Sequence, residues 1–195
     1  MPLLGVPAAV LAVRGLLASE VVDHVVLLVR PDDADAATPL VTGSPVTLHA
    51  GSRDSAAAAV ERYGRSVVLL HDAARPLTPP ALAVAVTRAV ATGHAVAVPV
   101  LPLSDTVKHV DHDDLIVGTP DRTGLRVVQT PQALRLDLLG ADVLHRVLTS
   151  EAPVEQSWAV AGEPAVTVPG HPLAFPVRSA WERELAEVLG SGAPA

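Results

Sequence analysis

His71-Asp72-Ala73-Ala74-Arg75-Pro76 brings together the residue types best able to do chemistry in this chain. The stretch follows Val67-Val68-Leu69-Leu70, four consecutive apolar residues that read as a strand buried on both faces inside a parallel sheet. In open α/β sheets ligands sit just outside the carboxyl ends of strands. At that position a short acid can hold a metal or a hydroxyl. Two small residues let a ligand approach the backbone, and arginine grips phosphate through its planar fork. A strand followed by an ordinary polar turn is the plainer alternative, and these residues alone leave both readings open.

A site of this kind depends on the elements around it. Pro7 to Ser19 carries apolar residues at helical spacing. Val25 to Val29 reads as a buried strand, Pro31 to Ala37 as an acidic, alanine-rich loop, and Val46 to Leu48 as a short strand. The next segment predicts a helix capped by Asp54 or Ser55 and reaching Tyr63. Beyond the central strand come a helix from Pro79 to Thr92 and an apolar strand from Ala95 to Val100. Strands alternating with helices in this way predict an α/β fold with a doubly wound, mainly parallel sheet.

Leu103 to Arg122 breaks the rhythm. Alternating polar and apolar residues around the turn His112-Asp113-Asp114 predict a β-hairpin arm within 103–124. Such an arm buries too little to stand alone, so it should pack on another surface, with a second copy of the chain as the expected partner. His109, Asp111, His112 and Asp113 suggest a metal site only weakly, because nothing in their spacing fixes a coordination geometry. A solvated hairpin tip accounts for them. Leu125 to Gln129 then reads as a strand, and Thr130-Pro131-Gln132 as the opening of a helix reaching Leu148. Strands at Ala165 to Val168 and Ala174 to Val177 precede a last helix from Ser179 to Leu189. The tail 190–195 is expected to fray.

Composition narrows the function. A chain of 195 residues suits a single domain with a real core. With 49% apolar but only 2% aromatic residues, valine, leucine and alanine must fill that core. A net charge of −7 argues against a nucleic-acid partner. The absence of cysteine excludes disulfides, thiolate chemistry and cysteine-ligated zinc, and is compatible with a cytoplasmic location. No apolar run reaches the length a bilayer demands, and Pro2 to Val13 lacks the basic leader of a signal peptide. Of the fourteen basic residues only Lys108 is a lysine.

Three stretches in order resemble the 2-C-methyl-D-erythritol 4-phosphate cytidylyltransferases of the non-mevalonate isoprenoid pathway. They are His71 to Pro76, Pro102-Leu103-Ser104-Asp105-Thr106-Val107-Lys108, and Asp121-Arg122-Thr123-Gly124-Leu125 running on to Gln129-Thr130-Pro131-Gln132-Ala133. The likeness spans nearly the whole chain. It implies a homodimeric, Rossmann-like nucleotidyltransferase fold of the nucleotide-diphospho-sugar transferase type. Such an enzyme joins CTP to a sugar-alcohol phosphate, releases pyrophosphate and uses magnesium. By resemblance, Asp72, Ala73 and Arg75 line the meeting point of nucleotide and substrate, with Asp72 also the metal ligand. Thr106 lies near the substrate, and Arg122 and Thr130 reach it across the dimer. Gly51 and Ser55 match the cytidine-recognising segment, although the spacing from Arg53 to Ser55 is one residue shorter than in the family. For Arg75 a salt bridge to a helix acid remains an alternative, and for Thr130 a helix cap.

The chain also departs from the family pattern. Family members open with a strand and a glycine-rich loop of the type Ala-Ala-Gly-x-Gly-x-Arg that ends in Pro-Lys, whereas Met1 to Pro7 resembles the segment following that lysine. A second lysine expected late in the chain is replaced by Pro176, with Arg178 a candidate substitute cation. From an acidic pair and a serine expected nearby, Glu155 and Ser157 are present. Without the opening strand, the strands ending at Val29 and His71 should face each other across a gap. One reading of these departures is that the displayed start is not the natural one. Another is a non-catalytic paralogue that binds ligand, or that pairs as a heterodimer with an intact relative.

Overall fold

The computed structural model describes residues 2–140 and 142–191. Strands β1 (Pro2–Leu3) and β2 (Val6–Pro7) form a small hairpin that leads into α1 (Ala8–Leu17). Then follow β3 (Val25–Leu28), α2 (Ala34–Val41), β4 (Val46–His49), α3 (Arg53–Glu61), β5 (Val67–Leu70) and α4 (Pro80–Ala91). The strand β6 (Val96–Pro102) runs out into the arm, made of β7 (His109–Val110) and β8 (Ile116–Gly118). The chain returns through β9 (Arg126–Val128) and β10 (Gln132–Arg135). It ends with α5 (Leu136–Leu139), α6 (Val143–Thr149), α7 (Ser157–Ala161), β11 (Ala165–Pro169) and α8 (Ala180–Ser191).

The larger sheet has the order β11-β6-β10-β5, with β9 pairing on β6. β11 and β6 are parallel, whereas β10 lies antiparallel to both of its neighbours. That reversal follows from the arm, because a chain that leaves along β6 and folds back must return in the opposite sense. One face of the sheet meets α6 through Val96, Leu134, Leu144 and Val147. The other meets α4 through Val86, Val90, Ala97 and Ala133. Small aliphatic side chains close both layers, and both tryptophans lie outside them, Trp158 37% and Trp181 69% exposed. The architecture is the expected α/β, Rossmann-like one, and its sheet is mixed.

The expected gap is present. Among the described residues β3 pairs with β4 alone in a separate parallel ribbon, and β5 pairs with β10 alone, so one edge of each strand has no neighbour there. Val67, Val68 and Leu69 are consequently half-buried rather than buried, and Leu28 is exposed.

Local differences have local causes. Residues 31–37 are not a loop: a turn at Pro31–Asp33 starts α2, with Pro31 at a position where a missing N–H costs nothing. Ser52, not Asp54 or Ser55, caps α3 by accepting from the Ser55 N–H. Thr130-Pro131-Gln132 does not open a helix, because Gln132–Arg135 is held as a strand between β5 and β6. Ala174 to Val177 has no regular secondary structure and pairs with no strand among the described residues. Gly190 and Ser191 belong to α8, and residues 192–195 lie outside the described residues. At the arm's tip Asp111 accepts hydrogen bonds from the Asp113 and Leu115 N–H groups, so its carboxylate shapes the turn. No helix among the described residues is long and apolar enough to cross a membrane.

Candidate active site

β5 delivers Asp72 to the carboxyl edge of the sheet, as strand-end chemistry requires. The backbone N–H of Asp72 donates to Thr130 Oγ1 at 3.2 Å, and its Oδ1 accepts from the Ala74 N–H at 2.9 Å. That second bond folds the small residues Ala73 and Ala74 back around the carboxylate. Thr130, fully buried, also contacts His71 Nδ1 at 3.0 Å. Burial pushes the His71 imidazole down to about 4, which keeps it neutral near pH 7.

A second acid closes the site. Glu155 sits in a turn held by Gln132, whose Nε2 donates to the Glu155 carbonyl at 2.7 Å and whose Oε1 accepts from the Trp158 N–H at 3.1 Å. Arg75 is 5% exposed and spends its guanidinium inside the protein. It donates to Glu155 Oε1 at 2.9 Å and to the Ala174 carbonyl at 2.5 Å. Its Nε has no hydrogen-bond partner and lies 4.0 Å from Asp72 Oδ2. The expected phosphate grip is therefore already committed to internal partners. Gln129 anchors the same wall, accepting from the His171 N–H and donating to the His171 carbonyl, both at 2.9 Å.

Arg178 joins the two acids. Its Nη2 donates to Asp72 Oδ2 at 2.6 Å and to Glu155 Oε1 at 3.1 Å, while 57% of its side chain stays exposed. The hydrogen bond to Asp72 holds its guanidinium above the ordinary arginine range. Burial works to raise the Glu155 carboxyl, but bonds from Arg75, the backbone and Arg178 outweigh it and hold the group below its usual range. Two carboxylates and two guanidinium groups thus sit together, with one cation buried and the other facing solvent.

The remaining candidates lie apart from this cluster or beneath it. Gly51 and Ser55 flank the start of α3, where Ser55 Oγ meets His49 Nε2 at 2.8 Å. A Cβ on Gly51 would stand 2.7 Å from both of those atoms, so only glycine leaves their bond undisturbed. Thr106 is exposed near the base of the arm, and Arg122 there donates to the Ser104 carbonyl at 2.5 Å. Thr130 is placed under Asp72 in the same chain with no surface to offer, so its contacts do not run through the arm. Gln129, Gln132 and His71 went unassigned at the sequence level. The available signal was two glutamines flanking Thr-Pro beside apolar strands, since buried amides must find partners.

The profile of the family described as "IspD: 2-C-methyl-D-erythritol 4-phosphate cytidylyltransferase" matches residues 1–189. A protein of that name from Frankia casuarinae is 41% identical over 191 residues, covering 95% of this chain and 71% of the relative. One from Nocardia farcinica is 40% identical, covering 97% of this chain and 84% of the relative. The crystal structure of a 4-diphosphocytidyl-2C-methyl-D-erythritol synthase from Anaerococcus prevotii is similar in fold, with a TM-score of 0.80 at 19% identity. It covers 98% of this chain and 92% of the other. A 2-C-methyl-D-erythritol 4-phosphate cytidylyltransferase from Thermus thermophilus reaches a TM-score of 0.71 at 27% identity, over 92% and 89% of the two chains. On a match that runs from the first residue almost to the last, this chain belongs to the 2-C-methyl-D-erythritol 4-phosphate cytidylyltransferase family.

Proposed function

We infer that the protein joins CTP to 2-C-methyl-D-erythritol 4-phosphate and releases pyrophosphate. The observation that carries this reading is the half-exposed Arg178 poised over Asp72 and Glu155 at a strand end, in a chain of this family. A phosphate oxygen of the polyol attacks the α-phosphorus of CTP, forming one P–O–P linkage as the bond to pyrophosphate breaks. The reaction gathers negative charge, so the protein's task is positioning and neutralisation.

Each residue has a role in that scheme. Arg178 supplies the cation that faces the phosphates, standing in for the lysine that Pro176 replaces. Arg75 is a positioning residue that fixes Glu155 and the loop at Ala174. Thr130 fixes the Asp72 backbone from below. Gly51, Ser55 and Ala73 border the nucleotide, while Thr106 and Arg122 serve the substrate from the arm of a second copy. Leu115, Ile116 and Val117 of the arm, 57–67% exposed, are apolar surface for that homodimer contact.

The donor set fits a divalent cation. Asp72 and Glu155 are oxygen ligands close enough to share one Arg178 nitrogen, and magnesium is typically held by one or two carboxylates plus substrate phosphates. Asp72 would hold the ion once Arg178 turns toward the phosphates. Magnesium, when bound, supplies charge neutralisation on the triphosphate. A cytoplasmic location accompanies this reading.

The test is pyrophosphate release by the purified protein with CTP, methylerythritol phosphate and magnesium. Release that requires both substrates and falls about a hundredfold or more in Arg178→Ala supports the assignment. CTP binding without any release would instead favour the non-catalytic reading, with the protein acting beside an intact relative.

A further inference from the structure

His49 is the last residue of β4, and its carbonyl accepts from the Val29 N–H at 3.1 Å. Because β3 and β4 are parallel, that bond fixes the histidine at the carboxyl edge of the ribbon, where strand-end ligands sit. Two residues on, the chain passes Gly51 and enters α3, whose first turn brings Ser55 back against the imidazole.

The Ser55 hydroxyl has three polar neighbours. It lies 3.0 Å from the Ser52 carbonyl, 2.8 Å from His49 Nε2 and 3.3 Å from Ser52 Oγ. A carbonyl oxygen only accepts, so the single hydroxyl proton goes to Ser52. His49 Nε2 must then carry a hydrogen and donate it, which sets the tautomer of the ring. Ser52 Oγ makes the longest of the three contacts and is already engaged by the Ser55 N–H as the helix cap. One lone pair of Ser55 is therefore held by His49, and the other is open to a stronger donor than Ser52. A free serine hydroxyl gives or takes a hydrogen bond as its partner demands. Held in this way, it can only take one.

We propose that His49 is a positioning residue that holds the Ser55 hydroxyl as an acceptor toward the base of the nucleotide, so that the site prefers a pyrimidine carrying an amino group to one carrying a carbonyl in its place. This role rests on the nucleotide reading above, in which Gly51 and Ser55 border the nucleotide. Cytosine offers an amino donor to the open lone pair, whereas uracil would set one acceptor against another. Gly51 belongs to the same device, since a Cβ there would stand 2.7 Å from both atoms of the His49–Ser55 bond.

Calorimetric titration of CTP and of UTP, each with magnesium, reads the preference without requiring turnover. The unmodified protein should bind CTP about tenfold or more tighter than UTP. His49→Leu removes both ring nitrogens and should lower that ratio about five- to tenfold. His49→Gln, whose amide nitrogen can occupy the place of Nε2, should restore most of it. In a Ser55→Ala background, His49→Leu should change the ratio no further, because the histidine acts only through the hydroxyl. A histidine that merely supports the fold would weaken both nucleotides alike and leave the ratio intact. That result, or a further drop in the double variant, overturns the role of His49 while the nucleotide site stands. Equal binding of CTP and UTP by the unmodified protein overturns it as well. Binding of neither nucleotide would remove the nucleotide reading itself, and this role with it.

Discussion

Replacing Thr130 with valine tests whether this residue supports the site from beneath or touches substrate. The threonine is fully buried and its hydroxyl serves two partners, the Asp72 N–H at 3.2 Å and His71 Nδ1 at 3.0 Å. Valine keeps the branched shape and removes both contacts. A buried polar group left unpaired costs about 1–3 kcal/mol, and the longer contact to Asp72 belongs at the low end of that range. The expected loss for Thr130→Val is therefore about 2–4 kcal/mol. Thr130→Ser keeps the hydroxyl and gives up one buried methyl, for about 1 kcal/mol. Urea unfolding followed by circular dichroism reads both, as a lowered midpoint at unchanged slope. Turnover should fall in the valine variant and largely survive in the serine one, because the hydroxyl is what fixes Asp72. If valine proves no more destabilising than serine, the hydroxyl does not brace Asp72 and the positioning argument is wrong.

Stability should depend on pH through His71, whose value drops from 6.5 to about 4 on folding. As pH falls below 6.5 the unfolded chain takes up the proton first, so stability declines down to about 4 and then levels, by roughly 3 kcal/mol in all. His71→Asn should flatten that slope in urea melts at stepped pH; an unchanged slope rejects the assignment. Gly170→Ala places a Cβ 2.3 Å from Gln129 Oε1 and 2.9 Å from the Val100 carbonyl oxygen. Since that backbone cannot retreat, a loss of about 1–3 kcal/mol is expected in the same melts, and a neutral result contradicts the packing. Ile116→Asp, at a position 67% exposed on the arm, should shift the protein from dimer to monomer in sedimentation without loss of helix signal. Dimers that survive would place the interface elsewhere.

The strands that carry the site were legible because their chemistry is local. Val67 to Leu70 announces itself as an apolar run, and the acid that follows lies where a strand end must put it. The arm was legible through its alternation and turn residues. β10 was not, because Gln132-Ala133-Leu134-Arg135 consists of good helix formers and becomes a strand only by lying between β5 and β6. Ala174 to Val177 reads as a strand for the opposite reason: its residues suit one, yet Arg75 and Gln129 take the Ala174 carbonyl. The salt bridge to an acid left open for Arg75 is present, but its partner was not legible, since Glu155 stands eighty residues away and no spacing rule connects them. Arg178 was found from its offset relative to Pro176, although the contact with Asp72 that gives it meaning is tertiary.

Placing both indoles outside the aliphatic core decides what intrinsic emission can report. Trp181, 69% exposed, should emit like a solvated side chain in both states, whereas Trp158, 37% exposed, is partly covered and should shift to the red on unfolding. Trp158 has a second property: its amide is pinned by Gln132, three positions beyond Glu155. Its quenching is therefore a built-in gauge of the acidic wall, responsive when ligand displaces that turn.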